Sequence, residues 1–148
     1  GEIQAMSAGT GVFHSEYNPS KTDETRLFQI WTFPNVKDIQ PRYEQKSFGV
    51  EGRKNNFQLL VSPLKSEKTM WINQDAFFSL GNFEKGISAD YNLYMEKNGI
   101  YLMVIEGSVF CADKLLGKRD AIGISDIKSV KIEAVENSEI LIIEVPMD

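Results

Sequence analysis

Short hydrophobic runs, separated by turn residues, make up most of this chain. The runs are rich in β-branched and aromatic residues, and they have the length of strands. No segment sustains the 3.6-residue hydrophobic period of an amphipathic helix. The pattern therefore predicts an all-β protein built as a sandwich or barrel of antiparallel sheets. The predicted strands are residues 27–33 (LFQIWTF), 57–61 (FQLLV), 76–80 (AFFSL), 101–105 (YLMVI), 127–133 (IKSVKIE) and 140–145 (ILIIEV).

Glycines mark the predicted turns. Asn98-Gly99 is the sharpest signal, because both central residues of a type I′ hairpin turn need a positive φ angle. Gly9 and Gly11 suit a tight turn before the residues that follow them. Gly117 is predicted to supply an unusual backbone angle in a hairpin turn over residues 114–120.

A polar connection over residues 41–54 (PRYEQKSFGVEGRK) is predicted to join a short leading part to a larger trailing part. Residues 39–44 and 112–116 are each expected to form about one helical turn. Trp31 and Trp71 are predicted to be core or interface anchors, because each lies among apolar neighbours.

Composition and charge exclude several classes of partner. The net charge is -5, which argues against binding nucleic acid or an anionic membrane surface. No apolar run is long enough to span a membrane, and no signal peptide is visible. The single cysteine, Cys111, is predicted to be a small buried hydrophobe, and its lack of a disulfide partner fits the cytoplasm, where we expect the protein.

His14 and Glu16 are the candidate metal ligands. On a strand, these two residues point to the same face, so an imidazole nitrogen and a carboxylate can meet one ion. They form part of a non-haem iron ligand set, which needs at least one more histidine, and His14 is the only histidine in the chain. The alternative interpretation is a hydrogen-bonded His–Glu pair on a strand.

One motif resembles a known family. Residues 4–20 (QAMSAGTGVFHSEYNPS) are similar to the second cupin motif of the pirin family, which includes bacterial quercetin 2,3-dioxygenase-like members. Residues 27–35, 41–48 and 100–125 also resemble that family, so the likeness covers nearly all of the chain.

The resemblance implies two cupin domains, each a double-stranded β-helix or jelly-roll barrel. It implies a metal, usually Fe, held by three histidines and one glutamate of the N-terminal cupin, of which the last two match His14 and Glu16. Two further histidines would lie in a His-x-His motif upstream of Gly1. We therefore expect remnant strands of an N-terminal cupin in residues 1–41 and a complete C-terminal cupin, without a metal, in residues 42–148.

Two functions follow from the resemblance. One is a quercetinase-like dioxygenase, in which Glu16 accepts the substrate's proton; its incomplete ligand set predicts weak or absent metal binding and little activity in this chain alone. The alternative is a non-enzymatic, protein-binding or regulatory pirin-like domain. We also expect a homodimer or higher oligomer formed through exposed strand edges.

Overall fold

Twelve β-strands and one 3₁₀ helix form the part of the chain described by the computed structural model, which covers residues 2–147. The helix is Val50–Arg53. The strands are β1 (Glu2–Ser7), β2 (Arg42–Ser47), β3 (Phe57–Ser62), β4 (Met70–Trp71), β5 (Phe77–Phe83), β6 (Ser88–Asn92), β7 (Asn98–Glu106), β8 (Val109–Cys111), β9 (Lys114–Leu116), β10 (Ala121–Ile124), β11 (Ser129–Ala134) and β12 (Ser138–Pro146).

Two sheets face each other in the trailing part of the chain. The larger sheet has the order β10-β7-β12-β5-β3-β4, and the smaller has the order β6-β11-β8-β9. Their strands pair antiparallel, except for the parallel pair β3 and β4. The predicted all-β architecture of antiparallel sheets is confirmed.

Alternate side chains of β12 point to opposite faces of the larger sheet, so this strand contributes to two hydrophobic clusters. Ile140 and Ile142 face the smaller sheet and join a fully apolar cluster with residues of both sheets. Leu141 points the opposite way, into a second cluster on the outer face of the larger sheet. Because side chains alternate along a strand, a strand buried on both faces has to be apolar nearly throughout.

A separate two-stranded sheet covers that outer face. Strands β1 and β2 pair antiparallel, from Glu2 opposite Ser47 to Ser7 opposite Arg42. Ile3 and Ala5 of β1 pack against the second cluster. The leading part of the chain is thus attached to the larger sheet through apolar contacts.

Residues 8–41, here called the strap, connect β1 to β2 and contain no strand. The strap leaves and returns through a narrow neck at Gly9, whose φ of 53° lies in the left-handed region. A Cβ atom at Gly9 would collide with the carbonyl oxygen of Ile39 and with the ring of Pro41. The turn predicted at Gly9 is confirmed, and Gly11 donates its backbone N–H to the Ala8 oxygen at 2.8 Å.

The predicted strands over residues 57–61, 76–80, 101–105, 127–133 and 140–145 all overlap observed strands. The strand predicted over residues 27–33 is wrong, because that run lies in the strap. A strand needs a neighbour to pair with, and the described residues offer this run none.

Several turn and connection predictions also need correction. The turn predicted at Asn98-Gly99 is wrong: both residues begin β7, and the positive φ falls on Lys97 at 66°. Tertiary contact decided this, since Asn98 pairs opposite Pro146 of β12. Gly117 does not have a positive φ; Arg119 has one instead, at 72°.

Strand β2 and the 3₁₀ helix occupy the stretch predicted as a polar connection over residues 41–54. Helical turns predicted over residues 39–44 and 112–116 are wrong, because these stretches contribute to β2 and β9. Among the described residues, no helix has the length and apolar character needed to cross a membrane.

Candidate functional site

His14 and Glu16 both lie on the strap with exposed side chains. The structure does not form the strand on which the prediction placed them. Neither makes a hydrogen bond to another described residue, so the alternative His–Glu pair is not observed. Their roles as metal ligands, and that of Glu16 as proton acceptor, stay predictions.

Within residues 2–147, no group of three or more His, Cys, Asp and Glu side chains is placed to hold an ion. An imidazole and a carboxylate suit a divalent transition metal as two members of a ligand set.

Polar contacts hold residues 28–35 of the strap against the trailing part of the chain. The Asn35 N–H donates to the Asn73 oxygen at 2.8 Å. The Gln74 side-chain amide donates to the Phe33 oxygen at 2.7 Å. The Arg119 guanidinium lies 5.4 Å from the centroid of the Phe28 ring. These contacts fix the course of the strap and leave most of its apolar side chains facing outward.

Exposed aromatic side chains dominate the outer surface of the strap. Phe13 is fully exposed, and Tyr17, Trp31 and Phe33 are each more than four fifths exposed. Trp31 is therefore not a core residue, and its predicted role as an interface anchor stays a prediction. Large apolar surface of this kind marks a contact site in most proteins.

Trp71, in contrast, is half-buried in β4 at the edge of the larger sheet, beside the neck of the strap. The Arg42 guanidinium carbon and the Lys65 ammonium nitrogen each lie 4.7 Å from its ring centroid. Arg42 also donates to the Glu44 carboxylate at 2.7 Å and to the Trp71 carbonyl oxygen. The bond from Arg42 to the Trp71 carbonyl oxygen joins β2 to β4.

A polar cluster that the sequence reasoning missed lies inside the sandwich of the two large sheets. Glu144 is fully buried and shares the inward face of β12 with Ile140 and Ile142. Its carboxylate accepts from the hydroxyl of Tyr91 and from the side-chain amide of Asn98. The signal was available, because Glu144 is the charged residue in an otherwise apolar run at an inward position.

Tyrosine side chains line this cluster. Burial raises the pKa of Tyr91, and the negative charge of Glu144 raises it further. Burial also raises the pKa of Tyr94, whose ring stacks on Phe77 at 4.7 Å between centroids. The Ser79 side chain is fully buried. The cluster closes one end of the sandwich with hydrogen bonds where an apolar core would leave backbone donors unpaired.

Comparison with known proteins decides the family. Residues 59–145 match the family model described as the quercetinase C-terminal cupin domain, and residues 1–32 match the model described as pirin. The chain belongs to the pirin family. Its fold is accordingly the all-β cupin fold, and the match to the C-terminal cupin covers nearly all of the six-stranded and four-stranded sheets.

Other pirin-related proteins are similar over almost the whole chain. Quercetin 2,3-dioxygenase of Escherichia coli (strain K12) is 35% identical over 147 residues, which cover 99% of this chain and 62% of that protein. A putative quercetin 2,3-dioxygenase of Zymomonas mobilis is 37% identical over 144 residues, covering 97% and 60%. The chain thus spans about three fifths of the length of these relatives.

A solved pirin structure has the same fold. The crystal structure of the bacterial pirin YhhW from Escherichia coli in complex with nickel(II) matches with a TM-score of 0.89 and 34% identity. The match covers 99% of this chain and 62% of that one. The predicted division between residues 41 and 42 stays a prediction.

Proposed function

We propose that this chain is a pirin-like, quercetinase-related cupin protein whose strap contributes His14 and Glu16 to a divalent-metal site. One observation carries the proposal. The chain has a single histidine, and it lies on an exposed strap two residues from a carboxylate. The further ligands of such a site then come from residues outside one copy of this chain.

Relatives support a metal-dependent dioxygenase as the ancestral activity. Curated relatives at about 35% identity carry the name quercetin 2,3-dioxygenase, and a pirin of similar structure is described as a nickel(II) complex. Imidazole and carboxylate donors suit nickel, iron and zinc alike. We propose Fe or another divalent metal as the cofactor of the completed site.

The chain alone is proposed to have little or no quercetinase activity. Two protein donors leave the remaining positions of an ion to water, and such a site binds weakly and with little selectivity between metals. Exposure weakens metal binding further, because water at the surface of the strap competes with His14 and Glu16 for the ion.

Oxygen uptake tests this proposal. The purified chain is incubated with iron(II) or nickel(II), and oxygen consumption is followed on addition of quercetin. We expect no quercetin-dependent uptake by the chain alone, and uptake when the segment that precedes the matched region in the Escherichia coli quercetin 2,3-dioxygenase is joined before Glu2. His14→Ala in the joined protein is expected to abolish that activity. Turnover by the chain alone, unaffected by His14→Ala, would overturn the proposal.

A second candidate function is protein binding without catalysis. The exposed aromatic side chains of the strap favour it, because large apolar side chains at the surface are available to a protein partner. The acidic net charge suits a protein partner better than direct contact with DNA. A joined protein that binds metal fully but consumes no oxygen with quercetin would favour this second function.

A further inference from the structure

Asn98 and Gly99 have the composition of a hairpin turn, yet they lie at the start of β7. Asparagine followed by glycine is also a chemically labile dipeptide. The backbone nitrogen of the glycine can attack the side-chain carbonyl carbon of the asparagine, and no Cβ atom on the glycine hinders the attack. Asn98 is 4% exposed, so the fold buries this labile pair.

Close packing accounts for the glycine at position 99. A Cβ atom there would lie 2.6 Å from the Met147 sulfur and 3.0 Å from the Ile124 carbonyl oxygen. These distances are shorter than van der Waals contact, so a side chain at this position would displace its neighbours. The approach of neighbouring groups, and not a turn, therefore requires Gly99.

A neutral hydrogen-bond donor is required at position 98. The Asn98 side-chain amide donates to the Glu144 carboxylate at 2.9 Å, and both side chains are buried. An aspartate at this position would lose the donor and bring a second negative charge against Glu144. Among the described residues, no cation forms an ion pair with Glu144.

The native backbone keeps the reacting atoms apart. Asn98 and Gly99 lie opposite Pro146 and Val145 of β12. The extended backbone of a strand turns each nitrogen away from the side chain of the preceding residue. Because the hydrogen bond to Glu144 also fixes the Asn98 side chain, attack by the Gly99 nitrogen requires this end of β7 to open.

This end of β7 has one neighbouring strand where the rest of β7 has two. The pairing of β10 with β7 stops at Ile100. Among the described strands, β12 alone therefore pairs with Asn98 and Gly99.

Glu144 also holds the connection that precedes β7. The backbone N–H groups of Tyr94 and Met95 both donate to its carboxylate at 3.0 Å. One carboxylate thus fixes the connection over residues 93–97 and the side chain of Asn98. Local opening of this segment has to break these hydrogen bonds, and it does not require the whole domain to unfold.

We propose that Asn98 is a deamidation site that the fold keeps closed through Glu144. When the segment opens, the Gly99 nitrogen attacks the Asn98 Cγ atom, a C–N bond forms, and the side-chain nitrogen leaves as ammonia. Water then opens the resulting succinimide at either carbonyl and gives aspartate or isoaspartate. Water is the only co-reactant, and the inference does not depend on metal binding by the strap.

Both products weaken the closed sandwich. Aspartate places a second carboxylate against Glu144 and removes the donor. Isoaspartate adds a methylene group to the backbone of β7, so its pairing with β12 shifts out of register. Because the loss of ammonia is irreversible, modified chains accumulate with each opening, and deamidation limits the lifetime of the C-terminal cupin.

Mass spectrometry of proteolytic peptides tests the proposal on the full 148-residue chain, incubated at neutral pH in buffer and in urea. A synthetic peptide of residues 94–103 gives the unprotected rate in each solvent. We expect Asn98 in the folded chain to react slower than in the peptide by on the order of a hundredfold or more, because only open chains react. In unfolding urea, the chain and the peptide should react at the same rate.

Variants test the role of Glu144. Glu144→Gln should speed the reaction of Asn98 in buffer by about tenfold or more, because it weakens the attachment of the segment. Glu139→Gln on the same strand is the matched control and should react like the unaltered chain. If Glu144→Gln does not fold, urea below the unfolding transition replaces it: deamidation of the unaltered chain should then rise in parallel with amide hydrogen exchange at Tyr94 and Met95.

Four results would overturn the proposal. The first is a folded chain in which Asn98 reacts as fast as in the peptide. The second is an Asn98 amide that persists in unfolding urea while the peptide loses its own. The third is a folded Glu144→Gln variant with an unchanged rate, or deamidation that does not follow hydrogen exchange in urea. The fourth is an Asn98→Asp variant as stable as the unaltered chain, which would remove the consequence proposed for the modification.

Discussion

Glu144 gives the sharpest test of how the C-terminal cupin is held together. Its buried carboxylate accepts from the Tyr91 hydroxyl at 3.1 Å, the Tyr94 N–H at 3.0 Å, the Met95 N–H at 3.0 Å and the Asn98 amide at 2.9 Å. No described cation forms an ion pair with it. Four donors therefore converge on one acceptor that lies away from water.

Removal of this acceptor should lower the free energy of unfolding substantially. Glu144→Ala leaves the four donors without their partner and opens a cavity in place of the side chain. Breaking one side of a buried polar network costs about 3–5 kcal/mol, against a total stability of about 5–15 kcal/mol for a domain. Glu144→Gln keeps one acceptor oxygen but turns an amide donor toward other donors, so we expect a loss of about 1–3 kcal/mol.

Urea unfolding measured by circular dichroism gives these differences. Amide hydrogen exchange at Tyr94 and Met95 should also speed up, because their N–H groups lose their acceptor. Glu139→Ala on the same strand is the matched control, since the Glu139 side chain makes no hydrogen bond within the described residues. If the free energies of unfolding of both Glu144 variants lie within about 0.5 kcal/mol of the control's, the hydrogen bonds to Glu144 do not stabilise the fold.

Other expectations concern a thiol, a phenol and the neck of the strap. Burial raises the pKa of Cys111, which is 1% exposed, so a thiol reagent should label it slowly in the native protein and quickly in urea; rapid native labelling contradicts its burial. Because the pKa of Tyr91 is raised, the folded state holds that proton more tightly than the unfolded state, and stability should be constant below about pH 10 and fall above it. A fall between about pH 9 and pH 11 that Tyr91→Phe leaves unchanged would count against this cause. Gly9→Ala should lower the free energy of unfolding by about 1–3 kcal/mol, because the new Cβ atom collides with the Ile39 carbonyl oxygen. Gly86→Ala should lower it less, since Gly86 has a φ of 84° but open space around it. Equal losses of stability in the two variants would argue against a tight neck.

The trailing strands were predictable because their hydrophobic patterns agree with their environment. Runs such as FQLLV and ILIIEV are buried on both faces of the larger sheet, so composition alone identified them. The apolar run over residues 27–33 has the same composition, yet it lies exposed in the strap. Composition reports that a segment suits a strand, and pairing partners decide whether one forms.

Tertiary contacts also explain why the turn prediction at Asn98-Gly99 was wrong and why the cluster around Glu144 was not predicted. Asn98-Gly99 has ideal turn chemistry, but the Asn98 amide donates to Glu144, and its backbone pairs with β12. The role of Glu144 as a buried hydrogen-bond acceptor was not predicted, because its donors are not close to it in the sequence. Its donors come from residues 91–98, which only the fold brings near it.

The stoichiometry of metal binding tests the central claim most directly. We propose that His14 and Glu16 are ligands in a site whose further ligands lie outside one copy of this chain. Calorimetric titration of the purified chain with Zn²⁺ should therefore give no tight site at one ion per chain, and His14→Ala should remove whatever binding is found. Tight binding of one ion per monomeric chain, retained in His14→Ala, would contradict the account.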